Sequence, residues 1–354
     1  MNFKKIASLT IATLFSVNIA FSPISNAGMF VTRKDEIKQG EIFQQQIEST
    51  YHISEGKAQQ NVAEVTARLR RSLNNPRNYY DVKCIDAGFF NAFCGPNGKI
   101  YITRHMEKFT QMYDELAFVI AHEMGHDNFE HWLKRENDQG LALAGAVAVA
   151  ALAGANKDTI ALSAVAAGTA LNRSYGFKFE KQADEFAFNT IIRAGYNPGA
   201  GAIFFHKLMI LEELVKQNSS SIGFDPQGFL YPHPKTDKRL ATQIEYIEKY
   251  SNNRVKIKDD YVYVDGKLFV HPVSTKKADS YQRTYFMAGV LARLCHQNAK
   301  INCEVRGKSL YVNNIFIMTQ SAGDENLNNI RSRMNGTYKS SVDFSKYKKL
   351  EFRK

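Results

Sequence analysis

The chain has 354 residues and a formal net charge of +11. Its length exceeds the roughly 100 to 200 residues of a usual single domain, so we expect more than one domain. The basic residues are scattered along the chain, which argues against nucleic acid as a partner and leaves peripheral contact with anionic membrane or polysaccharide surfaces as the expected effect of the charge.

The first 27 residues predict a secretory signal peptide. Lys4 and Lys5 precede an apolar run from Ile6 to Phe21, and Ser25-Asn26-Ala27 places small residues where a signal peptidase reads them. The run is short and interrupted by polar residues, which favours cleavage over an uncleaved anchor. We therefore expect a periplasmic protein that is soluble or peripherally attached to a membrane.

Helical periodicity dominates the chain between the signal peptide and about residue 250. A break near Tyr250-Ser251-Asn252-Asn253 separates this region from a C-terminal region with a different pattern. The predicted domains are therefore the signal peptide 1–27, a main domain 28–250 and an accessory domain 251–354. The helices predicted in the main domain are at about 54–73, 110–135, 180–194, 199–217 and 235–250.

The four cysteines fall into two close pairs, which is consistent with an oxidising compartment. The simplest connectivity is two local disulfides, Cys84 with Cys94 and Cys295 with Cys303, whereas crossed pairings stay open. Neither pair has the two-residue spacing of structural zinc sites, so a metal role for these thiols is disfavoured.

The segment His122-Glu123-Met124-Gly125-His126 lies on a predicted helix that begins with Asp114 and Glu115. On a helix, the two imidazoles lie one turn apart on the same face, with the Glu123 carboxylate beside the first. This arrangement binds zinc and activates a water molecule, so the sequence predicts a zinc hydrolase.

A third zinc ligand is expected from a later helix. Glu180 and Asp184 lie four residues apart and therefore share a helical face. One carboxylate can bind the metal while the other accepts the second N–H of a ligating histidine. We assign Glu180 as the ligand and Asp184 as the supporting group.

Between the two helices, an insert at 141–171 rich in Ala and Gly predicts a buried helical hairpin, with membrane contact as the alternative.

The C-terminal region predicts a small α+β domain. Two strands within 261–270 are joined by an Asp-Gly turn, a helix follows at about 278–297, and strands near 301–319 with an Asn-Asn turn precede a helix near 322–334. This pattern indicates a ββα unit used twice, with a role in substrate capture, partner docking or stability.

Four ordered motifs resemble the M48 family of zinc metallopeptidases, which includes bacterial envelope proteases. The resemblance spans about residues 50 to 250, and in the last motif Tyr-Pro stands where Ser-Thr is usual in the family. The motifs are Asn91-Ala92-Phe93 with the hairpin after it, His122-Glu123-x-x-His126, Glu180-x-x-x-Asp184 followed by Ala194 to Pro198, and Tyr231-Pro232-His233-Pro234 with Arg239.

The resemblance implies an α+β fold, with a mainly helical zincin-like core, a small sheet and the accessory α+β domain. It implies a zinc endopeptidase in which His122, His126 and Glu180 hold Zn²⁺. Glu123 is expected to take a proton from the attacking water and to pass it to the leaving amine.

The oxyanion formed in the reaction needs a further donor, and the candidates are His233, Tyr231 and Arg239. Because prolines flank His233 and stiffen its loop, His233 is alternatively a fourth zinc ligand that keeps the enzyme latent, or simply part of a rigid turn.

The residues Asn91, Ala92 and Phe93 are expected to form an edge strand to which an extended polypeptide adds as a further strand. This mode recognises the backbone, so it suits unfolded or misassembled envelope proteins, as similarity to periplasmic members of the family also implies. Two other functions stay open, a mostly latent protease that acts as a chaperone-like factor in envelope assembly and a zinc amidase that acts on cell-wall peptides.

Overall fold

A computed structural model of the chain describes residues 30–138, 176–219 and 236–335. The signal segment 1–27 and the insert 141–171 lie outside the described residues and stay predictions. Among the described residues, no helix is long and apolar enough to cross a membrane.

The described residues form two compact units. The first contains the residues up to Ala194 and those that follow Ile210 up to Ser219, and the second contains Gly195–Ile210 and the residues from Thr236 onward. The α+β class predicted from the sequence is confirmed, because the first unit combines helices with one small sheet and the second combines helices with two.

The first unit is built on a four-stranded sheet flanked by helices. Its strands have the order β1-β2-β4-β3, and β2 and β4 are parallel whereas the other pairs are antiparallel. The strands are β1 (His52–Ile53), β2 (Asp81–Asp86), β3 (Ala92–Gly95) and β4 (Lys99–Thr103). The helices are α1 (Arg33–Thr50), α2 (Lys57–Ser72), α3 (Arg104–Phe109), α4 (Tyr113–Asn128), and the described parts of α5 (131–138) and α6 (176–193).

Helix α4 is the central helix of this unit. Acidic residues in its first turn, Asp114 and Glu115, favour the positive end of the helix dipole. The six residues Leu116 to Ala121 are all buried, so the helix is covered on every side, as expected for a helix that is apolar all round. It contacts α2, β3 and β4. The predicted helix 110–135 is interrupted after Asn128, because Glu130 has a φ of 58° and α5 begins beyond it.

Helices α4 and α6 approach each other closely at Gly125. A Cβ atom on Gly125 would lie 3.0 Å from the Cα of Ala183 and 3.2 Å from its carbonyl oxygen. Both contacts are with backbone, which has little freedom to move. A residue without a side chain is therefore required for this helix spacing.

Helix α1 was not predicted from the sequence. Its buried face consists of Glu36, Gly40, Phe43 and Ile47, of which only two are large apolar residues, so it lacks the apolar stripe that marks an amphipathic helix. A detectable signal lies at its N-terminus, where Thr32 and Asp35 form a capping box.

The second unit contains two three-stranded antiparallel sheets, each followed by a helix. The predicted ββα repeat is therefore a βββα repeat, because a short strand precedes each predicted hairpin. Its elements are α8 (Thr236–Tyr250), β5 (Val255–Lys258), β6 (Tyr261–Val264), β7 (Lys267–Val270), α9 (Ser280–His296), β8 (Cys303–Arg306), β9 (Ser309–Val312), β10 (Ile315–Thr319) and α10 (Leu327–Met334), preceded by the first half of α7 (Ala200–Ser219).

The two copies of the repeat have the same spacing. Strands β5, β6 and β7 begin at residues 255, 261 and 267, and β8, β9 and β10 begin at 303, 309 and 315, which is 48 residues later in each case. The predicted turns Asp265-Gly266 and Asn313-Asn314 both have positive φ at their two central residues, as two-residue hairpin turns require. This equal spacing indicates an internal duplication.

The compact units divide the chain differently from the predicted boundary near residue 250. Helix α8 belongs to the second unit, where it contacts α9 and β5. The first half of α7 also belongs there, although it precedes α8 in the chain. The functional division into 28–250 and 251–354 stays a prediction.

The two predicted disulfides are wrong for this structure, in which all four cysteines are free thiols. Cys84 pairs across the sheet with Ile102, and Cys94 pairs with Ile100, so β4 lies between the two cysteines. Two strand spacings amount to about 9.6 Å, whereas a disulfide needs Cα atoms within roughly 7 Å. Local sequence spacing misses this separation because the chain crosses over β4.

Cys295 and Cys303 also belong to different surroundings. Cys295 lies in α9, where burial raises the pKa of its thiol to about 11 and the charges of Arg254 and Asp265 act on it. Cys303 begins β8 in the other sheet, where burial raises the pKa of its thiol to about 12 and its backbone is bound by Asn335. The structure does not show the predicted pairing of Cys295 with Cys303, since both are free thiols.

We expect Cys84 and Cys94 to be alkylated as separate thiols when the protein is unfolded in denaturant without reductant, because β4 keeps them apart in the folded protein. Peptide mapping by mass spectrometry measures this, with a reduced sample as the control. A peptide pair joined through Cys84 and Cys94 would contradict the strand order.

We expect Gly125→Ala to destabilise the protein by about 1–2 kcal/mol, because the added methyl group overpacks the contact with Ala183. In a helix without such a contact the same change stabilises by roughly 0.5–1 kcal/mol. Denaturant unfolding of the metal-free protein therefore tests the sign. An increase in the free energy of unfolding would show that α6 accommodates the methyl group.

Candidate metal centre

Two histidines on α4 face each other across one helical turn. His122 and His126 lie four residues apart, and their Nε2 atoms are 3.1 Å from each other. The His122 side chain is 7% exposed and that of His126 is 15% exposed. The predicted spacing therefore brings two ring nitrogens to one largely buried point.

Glu180 of α6 completes a cluster of three donors. One carboxylate oxygen lies 3.3 Å from Nε2 of His122, and the other lies 3.2 Å from Nε2 of His126. Bonds of about 2.0–2.1 Å to a tetrahedral zinc ion put neighbouring donor atoms about 3.3 Å apart. The observed separations of 3.1 to 3.3 Å match this geometry, and these three residues form the one group of potential metal ligands within the described ranges.

Asp184 lies one turn after Glu180 and contacts the other ring nitrogen of His122. The distance from its carboxylate oxygen to Nδ1 of His122 is 2.9 Å. Burial acts to lower the pKa of His122, but the carboxylates of Glu180 and Asp184 outweigh it and raise the pKa to about 10. When the ring is neutral, as in a metal ligand, its Nδ1–H donates to Asp184 and its Nε2 lone pair is directed at the cluster.

His126 has a different partner. Its Nδ1 lies 2.9 Å from Nδ1 of His131, and Nε2 of His131 lies 3.1 Å from the side-chain oxygen of Gln182. His131 is buried, and burial lowers its pKa to about 3, with a further contribution from His126. A neutral imidazole therefore stands behind the second histidine of the motif.

The donor set fits a zinc ion. With both Nδ1 atoms engaged, the Nε2 lone pairs of His122 and His126 point at each other and at a carboxylate. Facing lone pairs repel unless a cation or a proton lies between them. Two imidazoles and one carboxylate are also the donor types that a catalytic zinc site uses, with a fourth position open.

Glu123 is buried on α4 between the two histidines in sequence. Burial raises the pKa of the Cys94 thiol well above its ordinary value, and the charges of Asp127, Glu123 and Glu36 raise it further. Because Cys94 belongs to β3, the Glu123 carboxylate lies within electrostatic reach of that strand. Helix α4, which carries the predicted general base, contacts β3.

Strand β3 is at the edge of its sheet, as predicted. Asn91 precedes the strand, where its backbone N–H donates to the Thr103 hydroxyl and its carbonyl accepts from the Thr103 amide. Ala92 is buried and pairs with Ile102, whereas Phe93 is half-buried and stacks on Tyr101 at 5.7 Å. On the other side of β3, the described residues provide no strand.

A buried ion-pair network holds the C-terminal end of α4. Arg77 donates to Glu36 at 2.8 and 2.5 Å and to Asp127 at 3.2 Å, and Asn78 donates to both carboxylate oxygens of Asp127 at 2.8 Å. Burial acts to raise the pKa of Glu36, but Arg77 and Arg33 lower it below its ordinary value. Since Asp127 follows His126 directly, this network fixes the backbone beside the second histidine.

Three predicted residues are not placed at the cluster. Tyr231 and His233 lie outside the described residues, so their roles stay predictions. Arg239 belongs to the second unit, where its guanidinium lies 4.3 Å from the centre of the Phe205 ring. Its role as a donor to the oxyanion also stays a prediction.

His131 and Gln182 were not identified from the sequence as parts of this site, and the packing role of Gly125 within the motif was not predicted. Gln182 lies between Glu180 and Asp184, and its position three residues after Phe179 places these two side chains on an adjacent helical face. A histidine five residues after a zinc-binding pair and a glutamine inside the carboxylate motif were the available signals.

Comparison with known proteins gives matches in one family. The sequence profile of Peptidase family M48 matches residues 56–247. The Beta-barrel assembly-enhancing protease of Escherichia coli (strain K12) is 24% identical over 225 residues, which are 61% of this chain and 45% of that protein. The Putative beta-barrel assembly-enhancing protease of Vibrio cholerae serotype O1 is 24% identical over 233 residues, 63% of this chain and 46% of that protein.

The protein named Beta-barrel assembly-enhancing protease in Yersinia pestis is 23% identical over 253 residues, 69% of this chain and 50% of its own length. The chain spans about half the length of the curated relatives it matches. The matched segment contains both helices that carry the clustered donors. Because the family match covers more than half of the sequence, the chain belongs to Peptidase family M48.

Proposed function

We propose that this chain is an exported, zinc-dependent endopeptidase that cleaves unfolded or misassembled polypeptides of the bacterial envelope. Membership of Peptidase family M48 supports a metallopeptidase. The observation that carries the proposal is the cluster of His122, His126 and Glu180, with donor atoms 3.1 to 3.3 Å apart on two packed helices.

Two further observations support the location and the substrates. The matched relatives are named for enhancing beta-barrel assembly, which suits a role in the envelope. The basic start and the apolar run from Ile6 to Phe21 support export to the periplasm.

The residues of the cluster divide the catalytic work. His122, His126 and Glu180 would hold Zn²⁺, which when bound polarises the scissile carbonyl and lowers the pKa of a water molecule. Glu123 accepts the proton of the attacking water and delivers it to the leaving amine. Asp184 holds the His122 ring in the orientation that directs Nε2 at the cluster.

Strand β3 supports recognition of an extended polypeptide. A substrate strand that pairs with Ala92–Gly95 would gain main-chain hydrogen bonds, which are available in any unfolded chain. Helix α4, which carries Glu123, contacts this strand. This arrangement selects for backbone accessibility and only weakly for side chains.

We expect Glu123→Gln to lower cleavage of an unfolded protein by about 10²- to 10⁴-fold while the zinc content is unchanged, because the variant loses the proton carrier and keeps the ligands. Glu185→Gln, at an exposed position of α6, is the matched control and is expected to cleave as the wild type does. A chelator should abolish cleavage, and added zinc should restore it.

The same assay separates the alternative functions. Equal cleavage by wild type and Glu123→Gln, with no effect of chelator, would contradict the zinc peptidase. A zinc-loaded wild type that binds unfolded protein and cleaves it only after substitution of His233 would instead identify the mostly latent, chaperone-like form. Cleavage of purified peptidoglycan peptides in place of unfolded protein would identify an amidase.

A further inference from the structure

His131 is the first described residue of α5 and lies directly behind His126. It is 1% exposed, and its ring stacks on Phe179 with centroids 4.0 Å apart and an angle of 11° between the planes. Phe129 stacks on the same ring at 5.7 Å and 21°. The two aromatic contacts fix the plane of the imidazole, so its two nitrogens have defined directions.

Both nitrogens of His131 are used within the site. Nδ1 lies 2.9 Å from Nδ1 of His126, and Nε2 lies 3.1 Å from Oε1 of Gln182. The Gln182 oxygen can only accept, so Nε2 of His131 carries the proton. Nδ1 of His131 is then an acceptor, and the proton between the two rings belongs to Nδ1 of His126.

The protons in this chain of contacts have one consistent arrangement. With its proton on Nδ1, His126 presents the Nε2 lone pair to His122 and Glu180, as a metal ligand must. In the opposite tautomer, Nε2 of His126 would carry a proton and could not bind a metal. The orientation of Gln182 therefore determines the tautomer of His126 through His131.

We propose that His131 is a positioning residue that, oriented by Gln182, holds His126 in the tautomer and ring orientation that bind the metal. This inference rests on the zinc site of the proposed function. It goes beyond that function by giving the two histidine ligands different hydrogen-bond acceptors. His122 donates to the carboxylate of Asp184, whereas His126 donates to a neutral imidazole.

One helix orients both ligands. Glu180 and Asp184 lie on the face of α6 that meets His122, and Phe179 and Gln182 lie on the adjacent face that meets His131. The side chain of His131 thus links α5 to α6 and to α4 at a single point. Its geometry depends on α6 in the same way as that of the metal ligands does.

A matched pair of substitutions at His131 tests the inference. The amide oxygen of His131→Asn can occupy the position of Nδ1 and accept from His126, whereas the longer side chain of His131→Gln places its amide at the position of Nε2, away from His126. We expect His131→Gln to bind zinc about 10- to 100-fold more weakly than the wild type, and His131→Asn to recover most of that loss. Competition with a chromophoric chelator at constant pH, using the metal-free full chain, measures the affinity.

A second pair of substitutions, at Gln182, tests the contact between Gln182 and Nε2 of His131 while His131 itself is unchanged. Gln182→Leu removes the acceptor for Nε2–H and should weaken zinc binding, whereas Gln182→Glu keeps an acceptor oxygen and should not. This pair also serves if the His131 variants fail to fold, which thermal unfolding of the metal-free proteins shows.

The outcomes separate the inference from the proposed function. A wild type that binds no zinc in this competition overturns both. Zinc binding by the wild type with equal affinities for His131→Asn and His131→Gln, or for Gln182→Leu and Gln182→Glu where the first pair does not fold, overturns the positioning role alone. Loss of affinity in His131→Gln and Gln182→Leu with recovery in their partners supports it.

Discussion

The close approach of α4 to α6 is the constraint on which the candidate site depends. The three clustered donors come from two helices, so their separations of 3.1 to 3.3 Å are set by the distance between the helix backbones. At Gly125, one residue before His126, that distance leaves no room for a methyl group against Ala183. Because a well-packed interior resists even small displacements, the packing of these two helices fixes the distances between the donor atoms.

Helix α6 makes four side-chain contacts with the site, all from one short segment. Phe179, Glu180, Gln182 and Asp184 fall on two neighbouring faces of the helix, one directed at the donors and one at the ring behind them. The last turn of α4 is held separately by Arg77, which donates to the buried carboxylates of Glu36 and Asp127. The two histidine ligands are therefore supported by groups of α6 and by the Arg77 network, and of these groups only Glu180 belongs to the metal cluster.

The sequence predicts well what local geometry determines. His122 and His126 share a helical face, as do Glu180 and Asp184, because four residues make about one turn. This periodicity identified the residues of each pair, although it does not bring the two helices together. Tertiary arrangement is less accessible. The prediction of a Cys84–Cys94 disulfide was wrong because β4 lies between the two strands that carry these cysteines, although the cysteines are close in sequence. The contact of His131 with His126 depends on the turn after α4, where a left-handed Glu130 redirects the chain.

The contacts between the two copies of the βββα segment affect how the second unit unfolds. Arg333, in the helix of the second copy, donates to the backbone carbonyls of Leu268 and Phe269 in the first copy, and α9 of the first copy contacts β10 of the second. Neither copy keeps all its partners if the other unfolds. In stacked solenoid repeats each repeat contacts only its neighbours, and folding can propagate from one to the next. Here the contacts between the two copies favour unfolding of both halves together.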